Sequence, residues 1–181
     1  MAYVFGTSSC TMTSTTDPVM VPGVWGPYHS AMVPGFWLNE GGQSAAGAAI
    51  ERLLSGHPAH AEATAEAGRS DRALPDFLAG MALSRVGLAS DAARLAHTYH
   101  VVPEVLGNRA PFADPDTRAV VLGIGLEAGI DDLVSLYVAA LCGLAYGLRQ
   151  IVEAQAAAGI ETRRIVVSGG VARGDLGRQI L

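Results

Sequence analysis

Apolar positions in this chain recur first at strand-like and later at helix-like spacing. Residues 2–5 are a short apolar run ending at Gly6, and residues 10–16 are rich in β-branched side chains, so strand, hairpin turn and strand is the natural reading. Residues 17–35 are dense in Pro and Gly, and within them Met20-Val21-Pro22-Gly23-Val24-Trp25 returns twelve residues later as Met32-Val33-Pro34-Gly35-Phe36-Trp37. A short unit used twice makes no solenoid; it reads as two turn-and-strand segments with similar ends. Ala45 to Leu54 reads as a helix capped by Ser44. Residues 55–75 are small and polar, a loop or insertion with some helix, and Asp76–Ser84 and Ser90–His100 read as helices. An irregular segment from Pro103 to Pro115 leads into the apolar run Ala119–Ile124. Leu133, Leu136, Tyr137, Leu141, Leu144, Leu148, Ile151 and Val152 then recur at three- and four-residue steps, predicting one long helix over 131–158 that stops at Gly159. Arg164–Ser168 has the pattern of a buried strand, and Arg173–Leu181 begins another helix. Strands first, then alternating helix and strand, predict an α/β or α+β domain with a mixed sheet.

Composition narrows the function. With 181 residues, half of them hydrophobic and 16% charged, the chain is one globular domain, with at most an appended subdomain. The net charge of −5 and the absence of a basic run argue against a nucleic-acid partner. All twelve basic residues are arginine. Without lysine there is neither a P-loop nor Schiff-base chemistry, so any phosphate grip falls to backbone N–H groups, hydroxyls, arginine or metal. Cys10 and Cys142 lack zinc spacing and read as reduced thiols. The opening Met1-Ala2-Tyr3-Val4-Phe5 lacks the features of a signal peptide, and Tyr137, Arg149 and Gln150 interrupt the long helix pattern, so a cytoplasmic protein with no membrane partner is expected.

Two glycine-rich elements carry the candidate chemistry. Val166-Val167-Ser168-Gly169-Gly170-Val171-Ala172-Arg173 runs from strand into helix through two glycines, which lets backbone approach a flat or charged ligand. Gly6-Thr7-Ser8-Ser9-Cys10 could do the same for phosphates, although a tight hairpin explains it locally as well. Other constellations are weaker. His97 and His100 lie three apart on a predicted helix without a third metal ligand. Ser8, Ser9 or Cys10 with His29 and Asp17 lacks the strand-to-helix setting of a nucleophile elbow. Asp131-Asp132 suits a helix N-terminus.

Gly6-Thr7-Ser8-Ser9, then Glu40-Gly41-Gly42-Gln43-Ser44-Ala45-Ala46-Gly47, then Gly107-Asn108-Arg109-Ala110-Pro111-Phe112-Ala113-Asp114-Pro115, then Ser168-Gly169-Gly170 stand in an order that resembles the carboxy-terminal domain of FGGY carbohydrate kinases, most of all the ribulokinase-like branch acting on pentuloses or pentitols. The resemblance runs from Ala2 to Leu181. It implies a ribonuclease-H-like fold of the actin and hexokinase type, a mixed sheet flanked by helices, with a helical insertion at about 56–102. It also implies a chain incomplete at both ends, lacking the amino-terminal sugar-binding domain. ATP and Mg²⁺ would be the cofactors, with Gly6, Thr7, Ser8 and Ser9 at the phosphates, Gly47 and Glu51 approaching the nucleotide, Gly169, Gly170 and Val171 at the adenosine, and Arg173 flanking the adenine. Glu40, placed in a Gly-rich turn, would reach the sugar. Arg109 would pair with Asp114 within a structural loop or face the cleft. The departures are Leu136, where a small residue is usual, and Gly174-Asp175. The resemblance puts the catalytic aspartate upstream, so no residue here takes that role and the isolated chain is expected to be inactive. A homodimer, and a non-catalytic actin-like binding or assembly module, are the further readings.

Overall fold

The computed structural model describes all 181 residues. Its five-stranded mixed sheet has the order β3-β4-β2-β1-β7 and a two-stranded sheet pairs β5 with β6. The strands are β1 (Ala2–Phe5), β2 (Ser9–Thr15), β3 (Trp25–His29), β4 (Trp37–Gln43), β5 (His100–Val102), β6 (Val120–Leu122) and β7 (Val166–Gly169). The helices are α1 (Gly47–Ser55), α2 (His60–Arg69), α3 (Leu74–Ser84), α4 (Ile130–Ala157) and α5 (Asp175–Ile180), with 3₁₀ turns at Ala89–Ala96 and Gly170–Arg173. β1 pairs antiparallel with β2 and parallel with β7.

The Met20–Trp25 echo resolves into two turns of the same kind. In each, the residue after the glycine donates back to the valine carbonyl, Val24 to Val21 and Phe36 to Val33, both at 3.1 Å. Gly23 and Gly35 take φ of +74° and +80°, the left-handed value that favours glycine at this turn position. Each turn delivers a tryptophan to the start of a strand.

Strand parity sorts the sheet residues. Tyr3, Phe5, Ser9, Thr11, Thr13 and Gln43 are buried toward α4, while Val4, Cys10, Met12 and Glu40 lie on the opposite, partly open face. α4 is long and apolar enough to cross a membrane by length and composition, but here it is the core helix. It is buried around much of its circumference because the sheet covers one side and α1, α3 and the Ala89–Ala96 turn cover the other. Gly159, at φ +91°, follows its C-cap, as expected of a helix stop. Gln43 ties sheet to helix. Its Oε1 accepts from Ser9 Oγ (2.9 Å) and Tyr3 Oη (3.3 Å), and its Nε2 donates to the Leu144 carbonyl (3.0 Å).

Four expectations are corrected. Ser44 does not cap α1, whose first amides bond instead to the hairpin, Ala46 and Ala48 to the Thr7 carbonyl and Gly47 to that of Gly6. Ser90–His100 is a 3₁₀ turn followed by strand, with His97 at the turn's end and His100 in β5, so the two histidines share no helix. Within the stretch expected as a loop or an insertion with some helix, residues 60–69 are a full helix. β7 is exposed rather than buried, since it ends the sheet order and has one neighbour only.

Candidate functional site

A cavity of about 570 Å³ opens where the β1–β2 hairpin, α1 and the Gly170–Arg173 turn converge against the α2–α3 wall. That volume lies in the range of small-molecule sites, roughly 300–1,000 Å³. Its lining includes Gly6, Gly47, Glu51, Gly170, Val171 and Arg173, six of the ten residues that the family resemblance places at a nucleotide. Phe5, Ile50, Leu54, Tyr137 and Leu141 supply apolar lining. Burial and the nearby Asp76 carboxylate push the Tyr137 phenol up to about 12, so it stays neutral at physiological pH.

The two terminal glycines do different work. Gly169 takes φ +95°, and a Cβ there would collide with the Phe5 carbonyl of the parallel neighbour β1, so the strand pairing itself demands glycine. At Gly170 a Cβ would meet only Arg173 Nη2, at 3.9 Å, so this residue keeps the cavity mouth open. Gly47 is a close approach, since its Cβ would stand 2.8 Å from the Gly6 carbonyl that its own amide bonds.

The hairpin is likewise divided by strand parity. Thr7 and Ser8 are exposed at its tip, and their amides enter no backbone hydrogen bond. Ser9 is buried at 1% exposure, and its hydroxyl is consumed by Gln43, donating to Oε1 and accepting from the Gln43 amide at 3.0 Å. Ser9 is therefore corrected from a candidate phosphate donor to a core residue. The N-terminus of α1 is also spent on hairpin carbonyls, so the donors open to an anion at this end are those of Thr7 and Ser8.

Glu40 does not line the cavity. It stands within β4, opposite Met12 and Trp25, rather than in a turn. Gly41 and Gly42 are glycine because α4 and β2 press on them: a Cβ on Gly41 would stand 3.1 Å from Ile151 Cγ2, and one on Gly42 would strike the Ser9 backbone. The Glu40 carboxylate pairs through Oε1 with Arg109, which also donates to Cys10 Sγ (3.4 Å) and lies 4.4 Å from the Trp25 ring centroid. This corrects the expected Arg109–Asp114 pair. Asp114 instead accepts from Thr117 Oγ1 (2.7 Å) and the Asp116 amide (2.8 Å), which hold its carboxyl below the usual value. Burial alone would lower the Arg109 pKa, but its bonds to Cys10 and Glu40 outweigh this and raise it.

Sequence reasoning missed the outer wall of the cavity, formed by His60 and Thr64 of α2 with Leu74, Pro75, Asp76 and Ala79 of α3. The signal available was Leu74-Pro75-Asp76, with proline inside the first helical turn and an acid after it. It marks a helix start but not what the helix faces.

The family model of the FGGY family of carbohydrate kinases, C-terminal domain, matches residues 1–181. The chain is 42% identical over 176 residues to a human FGGY carbohydrate kinase domain-containing protein, covering 97% of this chain and 32% of that one. It is 33% identical over 183 residues to a D-ribulokinase of Saccharomyces cerevisiae, covering 100% of this chain and 26% of the relative. The chain thus spans about a third or less of the length of these relatives. Among solved structures, a xylulose kinase from Rhodospirillum rubrum superposes with a TM-score of 0.70 at 22% identity, over 99% of this chain and 32% of that one. A Plasmodium falciparum glycerol kinase with ADP gives 0.64 at 18%, with the same two coverages. The likeness to these structures shows a shared fold, the mixed sheet with its flanking helices.

Proposed function

The chain belongs to the FGGY family of carbohydrate kinases, and we propose that it supplies the ATP-binding half of a kinase that phosphorylates a pentulose or pentitol, ribulose foremost. The observation that carries this reading is the cavity itself, where Gly6, Gly47, Glu51, Gly170, Val171 and Arg173 come together from three separate sequence segments. The purine would enter at Gly170 and lie against the apolar lining, with Arg173, which forms no ion pair within the chain, able to stack on its face. The phosphates would pass Gly6 toward the exposed Thr7 and Ser8, whose amides and hydroxyls suit an anion. In phosphoryl transfer, positioned donors and Mg²⁺ supply much of the catalysis. Mg²⁺ keeps several waters and rides largely on the phosphates, so it asks few ligands of the protein.

Glu40 would then face the acceptor. It registers with Met12 of β2, four residues along the chain from Ser8 at the hairpin tip, or about 13 Å at 3.3 Å per extended residue. The acceptor would lie between the hairpin tip and this carboxylate, which can take hydrogen bonds from adjacent hydroxyls. The catalytic base is expected from outside these residues.

Calorimetry of the 181-residue chain with ADP tests the cavity. Wild type is expected to bind, and Gly170→Val to lose affinity by about tenfold or more while retaining its circular dichroism and thermal midpoint. Unchanged affinity overturns the adenosine site. Turnover with Mg-ATP and a panel of pentuloses and pentitols, measured on the full-length gene product, tests the reaction; the 181-residue chain alone is expected to give none.

A further inference from the structure

The open face of the sheet carries an arrangement that motif reading does not reach. Glu40 and Arg109 stand 69 residues apart, and Cys10 and Arg109 stand 99 apart, yet all three meet over β2 and β4. One oxygen of the Glu40 carboxylate, Oε1, is fully engaged, receiving the Arg109 guanidinium and the Cys10 thiol at 3.7 Å. The other oxygen, Oε2, has no partner within the chain. The arginine is held on every side available. Its guanidinium lies over Trp25, its side chain is 16% exposed, and its Nε is buried without a hydrogen bond. A flexible surface pair is worth little. This one is not flexible, because the loop bearing Arg109 is itself pinned: Asn108 Nδ2 donates to the buried Glu104 (2.9 Å), Asn108 Oδ1 accepts from the Phe112 amide (3.0 Å), and the first Pro-Gly turn presses on Pro111.

Resting on the reading that Glu40 faces the acceptor, we infer that Arg109 is a positioning residue for acceptor recognition. By clamping Oε1 it fixes the carboxylate plane and presents Oε2 as a single oriented acceptor for hydroxyls of the pentulose or pentitol. Cys10 sets the lateral position of the clamp, since it accepts from Arg109 and donates to the same Oε1. An ion pair that left both oxygens free would allow the carboxylate to rotate. The forked guanidinium bonds sulfur and carboxylate at once, which a lysine cannot reproduce in the same plane. The effect belongs to ground-state and transition-state binding alike, so its loss raises the acceptor KM more than it lowers kcat.

The test is steady-state kinetics of the full-length gene product with its best acceptor. Arg109→Gln is expected to raise the acceptor KM by roughly tenfold, the scale of one charge-assisted hydrogen bond, with KM for ATP unchanged. Arg109→Lys should recover part of that loss, and Cys10→Ala should show a smaller rise in the same parameter. Glu40→Gln combined with Arg109→Gln should be no worse than Glu40→Gln alone, because the arginine acts through the glutamate. Additive losses in the double variant, or equal rises in both KM values, overturn the inference. Should Arg109→Gln fail to fold, as loss of ADP binding would reveal, Arg109→Lys and Cys10→Ala decide the matter by the same KM comparison. If wild type turns over no acceptor, both the kinase reading and the inference fall; if it turns over and the variants leave KM unmoved, the inference alone falls.

Discussion

Ser8 and Ser9 are neighbours of identical chemistry with opposite surroundings, so they separate binding from stability. Ser8 is exposed at the hairpin tip, whereas Ser9 closes a buried circuit with Gln43 and Tyr3. Ser8→Ala is expected to leave stability within about 0.5 kcal/mol, the usual range for a surface change, and to weaken ADP by several-fold. Ser9→Ala should cost about 1–3 kcal/mol, because the Gln43 amide and Oε1 lose their partner inside the core, while ADP affinity of the folded protein stays the same. Urea denaturation and calorimetry on the two variants read both quantities. The inverse pattern would place the phosphate donor on the wrong serine.

The segment from Pro103 to Pro115 shows how an element without regular structure can be as fixed as a helix. Glu104 is 7% exposed; burial raises its pKa, and the hydrogen bond from Asn108 only partly offsets this. A carboxyl whose folded pKa is raised stabilises the protein fully below its unfolded value, near 4.5, and that contribution is lost as pH rises through the folded value. Glu104→Gln keeps a carbonyl acceptor for Asn108 and removes the charge. It should therefore raise the thermal midpoint at neutral pH, leave it little changed at low pH, and flatten the decline between; thermal melts across this pH range check it, and a lowered midpoint at neutral pH would contradict it. What the sequence made legible at this scale follows from range. β1, β2 and α4 are readable because their patterns are local, a short apolar run and a β-branched stretch in one case and three- and four-residue steps in the other. The Ser8–Ser9 division needed strand parity and a partner at Gln43. Local reasoning pairs Arg109 with the nearby Asp114 or turns it to the cleft, because no local pattern announces a contact 69 residues away. α2 is less legible for a different reason: its mostly small and polar residues carry little hydrophobic content, and it buries only Ala63 and Ala67.

For the molecule as a whole, α4 decides whether sheet and helical insertion form one unit. Tyr3 and Phe5 of the sheet, Ile50 and Leu54 of α1, Ala63 of α2, Leu78 of α3 and Leu133 to Leu148 of α4 belong to a single buried cluster. His57 and Tyr99 add polar ties across the insertion by reaching the same Asp132 Oδ2 on α4, at 2.9 and 2.8 Å. The two tryptophans stand on β3 and β4 at one end of the sheet order, distant in sequence from the insertion. Tryptophan fluorescence therefore reports on the sheet edge, while far-ultraviolet circular dichroism reports mostly on the helices. If α4 couples them, the two urea transitions coincide, the mark of two-state unfolding in a domain of modest size. Leu144, fully buried and bearing the carbonyl that Gln43 bonds, is the residue at which to test this. Leu144→Ala should cost about 2–5 kcal/mol and shift both transitions together. A shift confined to circular dichroism would make the insertion a separate unit. The cavity wall built by α2 and α3 could then open independently of the sheet, and ADP binding would track the helical transition alone.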